Sequence, residues 1–239
     1  MAPREIGKPA TGLEIIATAT LLQIEGNRFF VTAGHVADLT DVTHLLYPKS
    51  DTEAAAFLGQ RYRTNPELRG LPPPACNIDI AILPLEDIEI HPRYRFLGEG
   101  QLITNGDFHE GIQCVAAGYP SGINRTIRNN IDVKPKQIAF QFPTIEPDRY
   151  REYDLDTSMH LAMKYEREVT RTDPKSGKSQ KTKLPKLKGI SGGPMWIRTS
   201  NGYALAAIVS DHPTEKRIVF GTKIDLARKM IYQHLRSRP

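Results

Sequence analysis

The hexapeptide at residues 189–194 reads Gly-Ile-Ser-Gly-Gly-Pro. Glycines on both sides of Ser191 allow a sharp backbone turn, because glycine adopts conformations that other residues avoid. Such a turn leaves the serine hydroxyl uncovered and lets two backbone N–H groups point into one space. The stretch therefore predicts a nucleophile beside a site that stabilises negative charge, and the alternative is a tight turn with a structural role only.

Two earlier stretches carry a histidine and an aspartate in apolar surroundings. Residues 30–36 read Phe-Val-Thr-Ala-Gly-His-Val, so His35 follows an apolar strand. Residues 77–83 read Asn-Ile-Asp-Ile-Ala-Ile-Leu, where an unpaired carboxylate at Asp79 would be costly. Singly, each has an ordinary interpretation, as a satisfied histidine or an edge-strand carboxylate. Together with Ser191 they supply a base, a group that orients the base and a nucleophile.

The rest of the chain is dominated by strand signals. Glu25-Gly26-Asn27 predicts a hairpin turn, and only residues 225–237 show helical spacing, with Asp225 as the expected N-cap. Many short strands with turn residues between them are typical of an all-β sandwich or barrel. Strands are predicted at residues 13–24, 28–32, 44–47, 78–85, 112–117, 137–141, 160–170, 194–198, 203–210 and 217–224.

Composition and charge set the broad class of protein. The chain has 239 residues, is 39% hydrophobic and 25% charged, and has no apolar stretch long enough to span a bilayer. Its N-terminus lacks the apolar run of a signal peptide, and Cys76 and Cys114 allow at most one disulfide. We therefore expect a cytoplasmic protein with no membrane partner. The net charge of +5, taken alone, invites a nucleic-acid partner.

The three stretches resemble the signature motifs of the trypsin-like (chymotrypsin-fold) serine peptidases. Residues 32–35 (Thr-Ala-Gly-His) resemble the family's Thr-Ala-Ala-His, and residues 79–83 (Asp-Ile-Ala-Ile-Leu) resemble its Asp-Ile-Ala-Leu-Leu. Residues 189–194 resemble its Gly-Asp-Ser-Gly-Gly-Pro. The likeness extends to residues 207–210 (Ala-Ile-Val-Ser), similar to the strand that lines the substrate cleft, and to residues 221–224 before the final helix.

The resemblance implies an all-β fold of two antiparallel Greek-key β-barrels with a C-terminal α-helix at residues 225–237. Residues 1–100 would form the N-terminal barrel, which carries His35 and Asp79. Residues 101–239 would form the C-terminal barrel, which carries Ser191. The aperiodic segment at residues 92–107 is the expected linker between them.

The resemblance also implies a role for each site residue. His35 would act as general base and then general acid, Asp79 would hold the tautomer of His35, and Ser191 would attack the scissile carbonyl. The backbone N–H groups of Gly189 and Ser191 would form the oxyanion hole. This chemistry uses no metal and no cofactor.

Several positions depart from the family pattern. Secreted members have an Asp that pairs with a newly cut N-terminus, whereas this chain has Ile190 there. We therefore expect a bacterial, intracellular member without zymogen activation, active as built or activated by a protein partner. Pro185 stands where trypsin has its pocket-floor acid, so a preference for Lys or Arg is not indicated. The candidate substrate-cleft residues are Pro185, Ser210, Asp211 and His212.

A basic segment precedes the serine. Residues 164–188 hold nine Lys or Arg and three Asp or Glu, a net +6, so the other residues together carry −1. The turn at residues 173–178 (Asp-Pro-Lys-Ser-Gly-Lys) predicts an exposed hairpin beside the active site. Three interpretations stay open: a solvated loop, a regulatory or self-cleaved loop, and a site for an acidic or nucleic-acid partner. Its only aromatic residue is Tyr165, which argues against base stacking and makes nucleic acid the less expected partner.

The sequence thus predicts a serine endopeptidase that hydrolyses a protein substrate through an acyl-enzyme and is regulated by a partner or by the basic hairpin. Two alternatives remain at this point. One is a catalytically silent binding or scaffolding module of the same fold. The other is a nucleic-acid-responsive regulatory protein that uses the basic hairpin as its sensor.

Overall fold

The computed structural model describes most of the chain, and the statements below concern the described residues. These are residues 12–13, 17–39, 46–48, 54–56, 62–63, 78–86, 88–103, 111–124, 127–128, 136–172, 179–211 and 213–238. Most of the regular structure is β. The strands are β1 (Gly12–Leu13), β2 (Thr20–Ile24), β3 (Asn27–Thr32), β4 (Leu46–Pro48), β5 (Ala54–Ala56), β6 (Tyr62–Arg63), β7 (Ala81–Pro84), β8 (Leu97–Gly98), β9 (Gln113–Gly118), β10 (Ile127–Arg128), β11 (Ile138–Pro143), β12 (His160–Lys164), β13 (Glu168–Thr172), β14 (Ser179–Lys183), β15 (Pro194–Thr199), β16 (Gly202–Asp211) and β17 (Ile218–Lys223). The helices are α1 (Gly34–Leu39), α2 (Ile224–Arg236) and the 3-10 helices Glu99–Gln101, Pro147–Tyr153 and Thr214–Lys216.

A five-stranded sheet is built from the first half of the chain, in the order β6-β7-β3-β2-β8. Its strands pair antiparallel, except that β8 runs parallel to β2. The β2–β3 hairpin turns at Glu25 and Gly26, which both have positive φ, 48° and 77°. A turn with two successive positive φ angles has a backbone twist that matches the twist of the flanking strands, as in a type I′ turn. The predicted first hairpin is confirmed, with β2 beginning at Thr20.

A six-stranded antiparallel sheet is built from the second half, in the order β11-β9-β15-β16-β17-β12. This sheet curls until its two edge strands approach each other. Thr144, just after β11, forms an isolated bridge with Met163 in β12, and the Ile145 N–H donates to the Ala162 carbonyl at 3.1 Å. The curled sheet is compatible with a β-barrel.

The C-terminal helix packs on the five-stranded sheet, although it follows the last strand of the other one. Its buried residues Ile224, Ala227 and Ile231 belong to one apolar cluster with Phe29 and Ile80. The cluster also includes Leu205 and Ile208 of β16. The helix therefore joins the core of the first sheet to the second sheet.

Several predicted elements differ from the structure at their boundaries. The strand predicted at residues 78–85 is β7 (Ala81–Pro84), so Asp79 lies just before the strand. The strand predicted at residues 160–170 is two strands, because β12 stops where its partner β17 begins at Ile218 and the chain then leaves the ladder. The final helix starts at Ile224, directly after β17, so Asp225 lies in its first turn and Lys223 is the N-cap. The predicted linker contains β8 and the 3-10 helix Glu99–Gln101. His44, in the strand predicted at residues 44–47, lies outside the described residues.

Two strands within the basic segment, β13 and β14, pair antiparallel and form a two-stranded ribbon. Glu168 pairs with Lys183 and Thr170 with Lys181. The turn at residues 173–178 is not among the described residues. Elsewhere in the described part, the longest helix, α2, is too short and too polar to cross a membrane.

Candidate active site

His35 lies where β3 gives way to α1. The N–H groups in the first turn of a helix have no partner within the helix. Here the Asp79 carboxylate supplies one, since Oδ1 accepts from the His35 N–H at 2.8 Å. The other carboxylate oxygen, Oδ2, lies 2.6 Å from His35 Nδ1. The structure thus brings these two predicted site residues together through two contacts.

This pair has a defined chemical consequence. An ionised carboxylate only accepts hydrogen bonds, so Nδ1 of His35 carries the proton and Nε2 is the basic nitrogen. The Asp79 side chain is 20% exposed and that of His35 is 50% exposed. The carboxylate is therefore shielded while the imidazole reaches the surface.

The backbone of Asp79 is held by the second sheet. The Asp79 N–H donates to Thr222 Oγ1 at 3.1 Å, and Ser210 Oγ donates to the Asp79 carbonyl at 3.3 Å. The pairing of β16 with β17 shifts register between Val209 and Asp211. Such a bulge re-aims a side chain, and Ser210 here is 1% exposed. Ser210 and Thr222 thereby join the aspartate of the first sheet to the second sheet.

The loop that carries Ser191 packs against the strands that lead to His35. Gly192 has a φ of +87°, and a Cβ there would lie 1.9 Å from the Thr18 carbonyl oxygen and 2.1 Å from Thr32 Oγ1. Only glycine fits such a position. Thr32 ends β3, three residues before His35. The close contact at Gly192 therefore anchors the serine loop near the histidine.

Thr18 is the main link between the two sheets at this point. Its Oγ1 donates to the Gly189 carbonyl at 2.9 Å and accepts from the Tyr119 N–H at 3.0 Å. Its own N–H donates to the Ser191 carbonyl at 2.9 Å, and its carbonyl accepts from Thr32 Oγ1 at 2.9 Å. Thr18 is only 5% exposed. One buried threonine thus uses its hydroxyl, N–H and carbonyl to hold the serine loop.

Each backbone carbonyl from Leu187 to Gly193 accepts a hydrogen bond. Most of the donors are distant in sequence, so tertiary packing fixes the orientation of these peptide groups. In the order of the carbonyls, the donors are Ile190 N–H, Ser121 N–H, Thr18 Oγ1, Gly193 N–H, Thr18 N–H, Thr20 Oγ1 and Val209 N–H.

Among the residues that the structure describes, four N–H groups of the same loop donate no hydrogen bond, those of Leu187, Lys188, Gly189 and Ser191. The peptide planes that carry the N–H groups of Gly189 and Ser191 are nevertheless fixed, because the carbonyls of Lys188 and Ile190 accept bonds at 2.8 Å each. Unpaired N–H groups are rare in protein interiors. The two that flank Ile190, those of Gly189 and Ser191, are the pair that the sequence resemblance assigned to an oxyanion hole.

Ser191 itself is linked to the pair only through the backbone. It is 8% exposed, and its hydroxyl makes no hydrogen bond to any described residue, His35 included. Catalytic hydrogen bonds are often long in structures without substrate and shorten in the complex. The structure thus joins His35 to Asp79 directly and places the loop of Ser191 against the strand before His35.

The predicted cleft residues lie in different settings. The Pro185 carbonyl accepts from Tyr165 Oη at 3.1 Å, so the base of the ribbon is tied to a buried aromatic residue. The Ser210 side chain is turned inward to Asp79. Asp211 is exposed at the end of β16, and His212 lies outside the described residues.

Other reactive groups are placed away from these residues. Cys114 is a free thiol with no exposed surface, and burial raises its pKa to about 12. The described residues include no cluster of three or more His, Cys, Asp or Glu that could hold a metal. A surface pocket is lined by residues of 147–157 and by none of the predicted site residues.

Sequence reasoning missed the groups that hold the site. It singled out Ser, His and Asp, and overlooked the hydroxyl and N–H donors that fix their backbone. The only available signal was the alternation of Thr18 and Thr20 and the position of Thr32 just before the histidine stretch. The missed residues are Thr18, Thr20, Thr32, Ser121 and Thr222.

No protein-family model matches the chain, and no curated protein matches it.

Proposed function

We propose that the protein is a serine endopeptidase that hydrolyses peptide bonds of a protein substrate. The observation that carries the proposal is the combination of the His35–Asp79 pair, which is joined by two contacts, with a serine loop in which the unpaired N–H groups of Gly189 and Ser191 flank Ile190. A base with a fixed tautomer, a nucleophile and an oxyanion site are the parts that acyl transfer needs.

In the proposed reaction, Nε2 of His35 takes the proton of the Ser191 hydroxyl as Oγ attacks the scissile carbonyl. Asp79 stabilises the imidazolium that forms, and the N–H groups of Gly189 and Ser191 bind the oxyanion. Each such donor contributes about 3–4 kcal/mol to the transition state. His35 then protonates the leaving amine, and water releases the acyl group from Ser191 by the reverse sequence.

We further propose that the oxyanion site is assembled without activation by cleavage. Ile190 is fully buried in the apolar cluster of the second sheet, so its position needs no ionic partner. The hydrogen bonds from Ser121 and Gly193 already fix the two peptide planes. Control of the activity would then fall to a protein partner or to the basic ribbon.

The fold that fits this proposal is a pair of Greek-key barrels, with residues 1–100 in one and residues 101–239 in the other. In the second sheet, β15, β16 and β17 follow one another and the earlier β12 lies beside β17. A meander with one strand brought back beside its far end is the Greek-key pattern. The approach of β11 to β12 supports closure of that barrel. The free thiol of Cys114 supports a reducing, intracellular setting.

A fluorophosphonate probe tests the proposal, because it reacts only with an activated serine. We expect labelling of the native protein and of Ser200→Ala, a control in an exposed turn, and no labelling of Ser191→Ala. Asp79→Asn should slow labelling by about 10³-fold or more, since the wrong tautomer of His35 is then favoured. Labelling that survives in Ser191→Ala, or is absent from the native protein, would contradict the proposal.

A catalytically silent binding module is the second candidate. It is favoured by the Ser191 hydroxyl, which makes no hydrogen bond to the described residues. A module of this kind would keep the fold and the His35–Asp79 pair but would not react with the probe under any condition. The same labelling experiment therefore separates the two candidates.

A further inference from the structure

We propose that the basic ribbon selects substrates by binding an acidic protein segment next to the scissile bond. This inference rests on the proposed function, since it assigns the substrate class of that site. The surface, called here the cationic ribbon, is defined by six exposed side chains. They are Lys164, Arg167, Lys181, Lys183, Lys186 and Lys188.

The described part of the chain supplies no partner for the charges of the cationic ribbon. Among the described residues, none of its six cations forms an ion pair or a side-chain hydrogen bond. Even Glu168, directly opposite Lys183 in the β13–β14 ladder, makes no ion pair with it. By contrast, Arg149 pairs with Glu152 and Arg238 with Glu86 elsewhere on the surface. The cations of the ribbon are therefore available to a partner.

The ribbon is anchored at its base, so its charges are presented on a defined platform. The Leu184 N–H donates to the Arg167 carbonyl at 2.7 Å, and Tyr165 Oη donates to the Pro185 carbonyl. Leu187 is 2% exposed and packs in the core of the six-stranded sheet. Lys181 and Lys183 are two residues apart in β14 and share one face of the ribbon. An extended acidic segment can thus meet several cations in a row.

The distance along the chain keeps part of this charge close to the nucleophile. Lys188 is three residues before Ser191, and Lys186 is five residues before it. A fully extended chain spans at most about 3.6 Å per residue, so their Cα atoms lie within about 11 Å and 18 Å of the Ser191 Cα. Acidic residues a few positions from the scissile bond can reach both lysines. A cluster of positive charges also raises the association rate of an oppositely charged partner.

The occupant we assign is a protein segment. Binding of single-stranded nucleic acid relies on exposed aromatic rings that stack on the bases. The one aromatic residue of the basic segment, Tyr165, is 4% exposed and packs between Phe140 and Phe142. The ribbon therefore offers charge without a stacking surface.

The test measures binding in a Ser191→Ala background, so that no turnover is needed. The probes are fluorescein-labelled peptides of alternating Glu and Gly, and of alternating Gln and Gly, matched in length and followed by fluorescence anisotropy. We expect the Glu-Gly peptide to bind at least about tenfold more tightly than the Gln-Gly peptide at low salt, and more weakly at physiological salt because of screening. The double change Lys181→Glu and Lys183→Glu should weaken Glu-Gly binding about tenfold.

The control is Lys229→Glu, on the exposed side of α2, which should leave binding unchanged. Urea unfolding of each variant checks that it folds as the parent does. Equal binding of the two peptides, or binding indifferent to the ribbon variants, would overturn the proposal. So would tighter binding of an oligothymidylate of equal charge, which would assign the ribbon to nucleic acid.

The two proposals can fail separately. Glu-Gly binding without probe labelling of Ser191 would contradict the proposed hydrolysis and support the docking surface. Labelling of Ser191 without Glu-Gly binding would support the hydrolysis and contradict the docking surface.

Discussion

The loop that carries Ser191 and the cationic ribbon adjoin in sequence but are held in opposite ways. In the loop, each carbonyl from Leu187 to Gly193 accepts a hydrogen bond, most of them from distant residues. In the ribbon, β13 and β14 pair with each other and with no other described strand, and most of the side chains that the structure describes there are exposed. The two adjoining segments therefore differ in what is held in place. Hydrogen bonds from distant residues position the backbone of the loop, whereas the ribbon presents charged side chains.

The largest expected effect comes from filling the space at Gly192. In Gly192→Ala the added Cβ would overlap the Thr18 carbonyl and Thr32 Oγ1, and alanine disfavours the positive φ. We expect a loss of about 3 kcal/mol or more in the free energy of unfolding and at least about a hundredfold slower labelling of Ser191. Urea denaturation and probe kinetics measure the two effects. Gly122→Ala is the matched control, because Gly122 has open space around it. Native stability in Gly192→Ala would show that the loop is not tightly held.

Removal of the Thr18 hydroxyl should lower the unfolding free energy and the labelling rate by smaller amounts. Thr18→Val keeps the shape but leaves the Tyr119 N–H and the Gly189 carbonyl without a partner. Unfolding free energy should fall by about 2–3 kcal/mol, and labelling should slow about tenfold because the Gly189 peptide is less well fixed.

Thr170→Val makes the same substitution in the ribbon, so that its effect on stability can be compared with that of Thr18→Val in the contact with the serine loop. Thr170 is exposed in β13, so its loss of a hydroxyl should change the unfolding free energy by no more than about 0.5 kcal/mol. Similar losses in both variants, measured by urea denaturation, would remove the distinction between the two regions.

The third prediction concerns Cys114, which shares an apolar cluster with Ile190. Burial raises the pKa of this thiol from 9.0 to about 12. Between these values the unfolded chain releases a proton that the folded protein keeps, so stability falls as pH rises. The slope is about 1.4 kcal/mol per pH unit.

Between pH 8.5 and 10.5 the native protein should therefore lose about 2 kcal/mol more than Cys114→Ala, for which this contribution is absent. Urea unfolding at the two pH values measures the difference. Parallel pH profiles would mean that the thiol is accessible to water in the folded state.

Much of the fold followed from local patterns in the sequence. The β2–β3 hairpin and the basic hairpin were predicted because turn residues separate apolar or alternating runs. The helix at the C-terminus was placed within one residue. The sequence does not predict the break between β12 and β13, because residues 160–170 have the pattern of one strand. The break follows from the partner strand β17, which begins at Ile218 opposite Lys164.

The candidate site also has residues that local sequence patterns predict and residues that they do not. The stretches around His35, Asp79 and Ser191 stand out in sequence, because each places a polar side chain in an unusual apolar or glycine-rich setting. The function they would perform stays a prediction. Thr18 could not be found in this way, since an ordinary threonine gains its role only from groups that lie far along the chain. Such partners are set by tertiary packing, and local patterns do not record them.

The bond from Thr18 Oγ1 to the Gly189 carbonyl has a consequence for how the molecule forms. The two residues are 171 positions apart, so this contact closes most of the chain into one loop. Contacts of such long range form late in folding, because loop-closure entropy opposes them until other structure is in place. In refolding from urea, β-sheet signal should therefore return before reactivity of the serine. A nascent or half-folded chain would carry all three polar residues but would lack this contact, so the proposed hydrolysis would begin only when folding is complete.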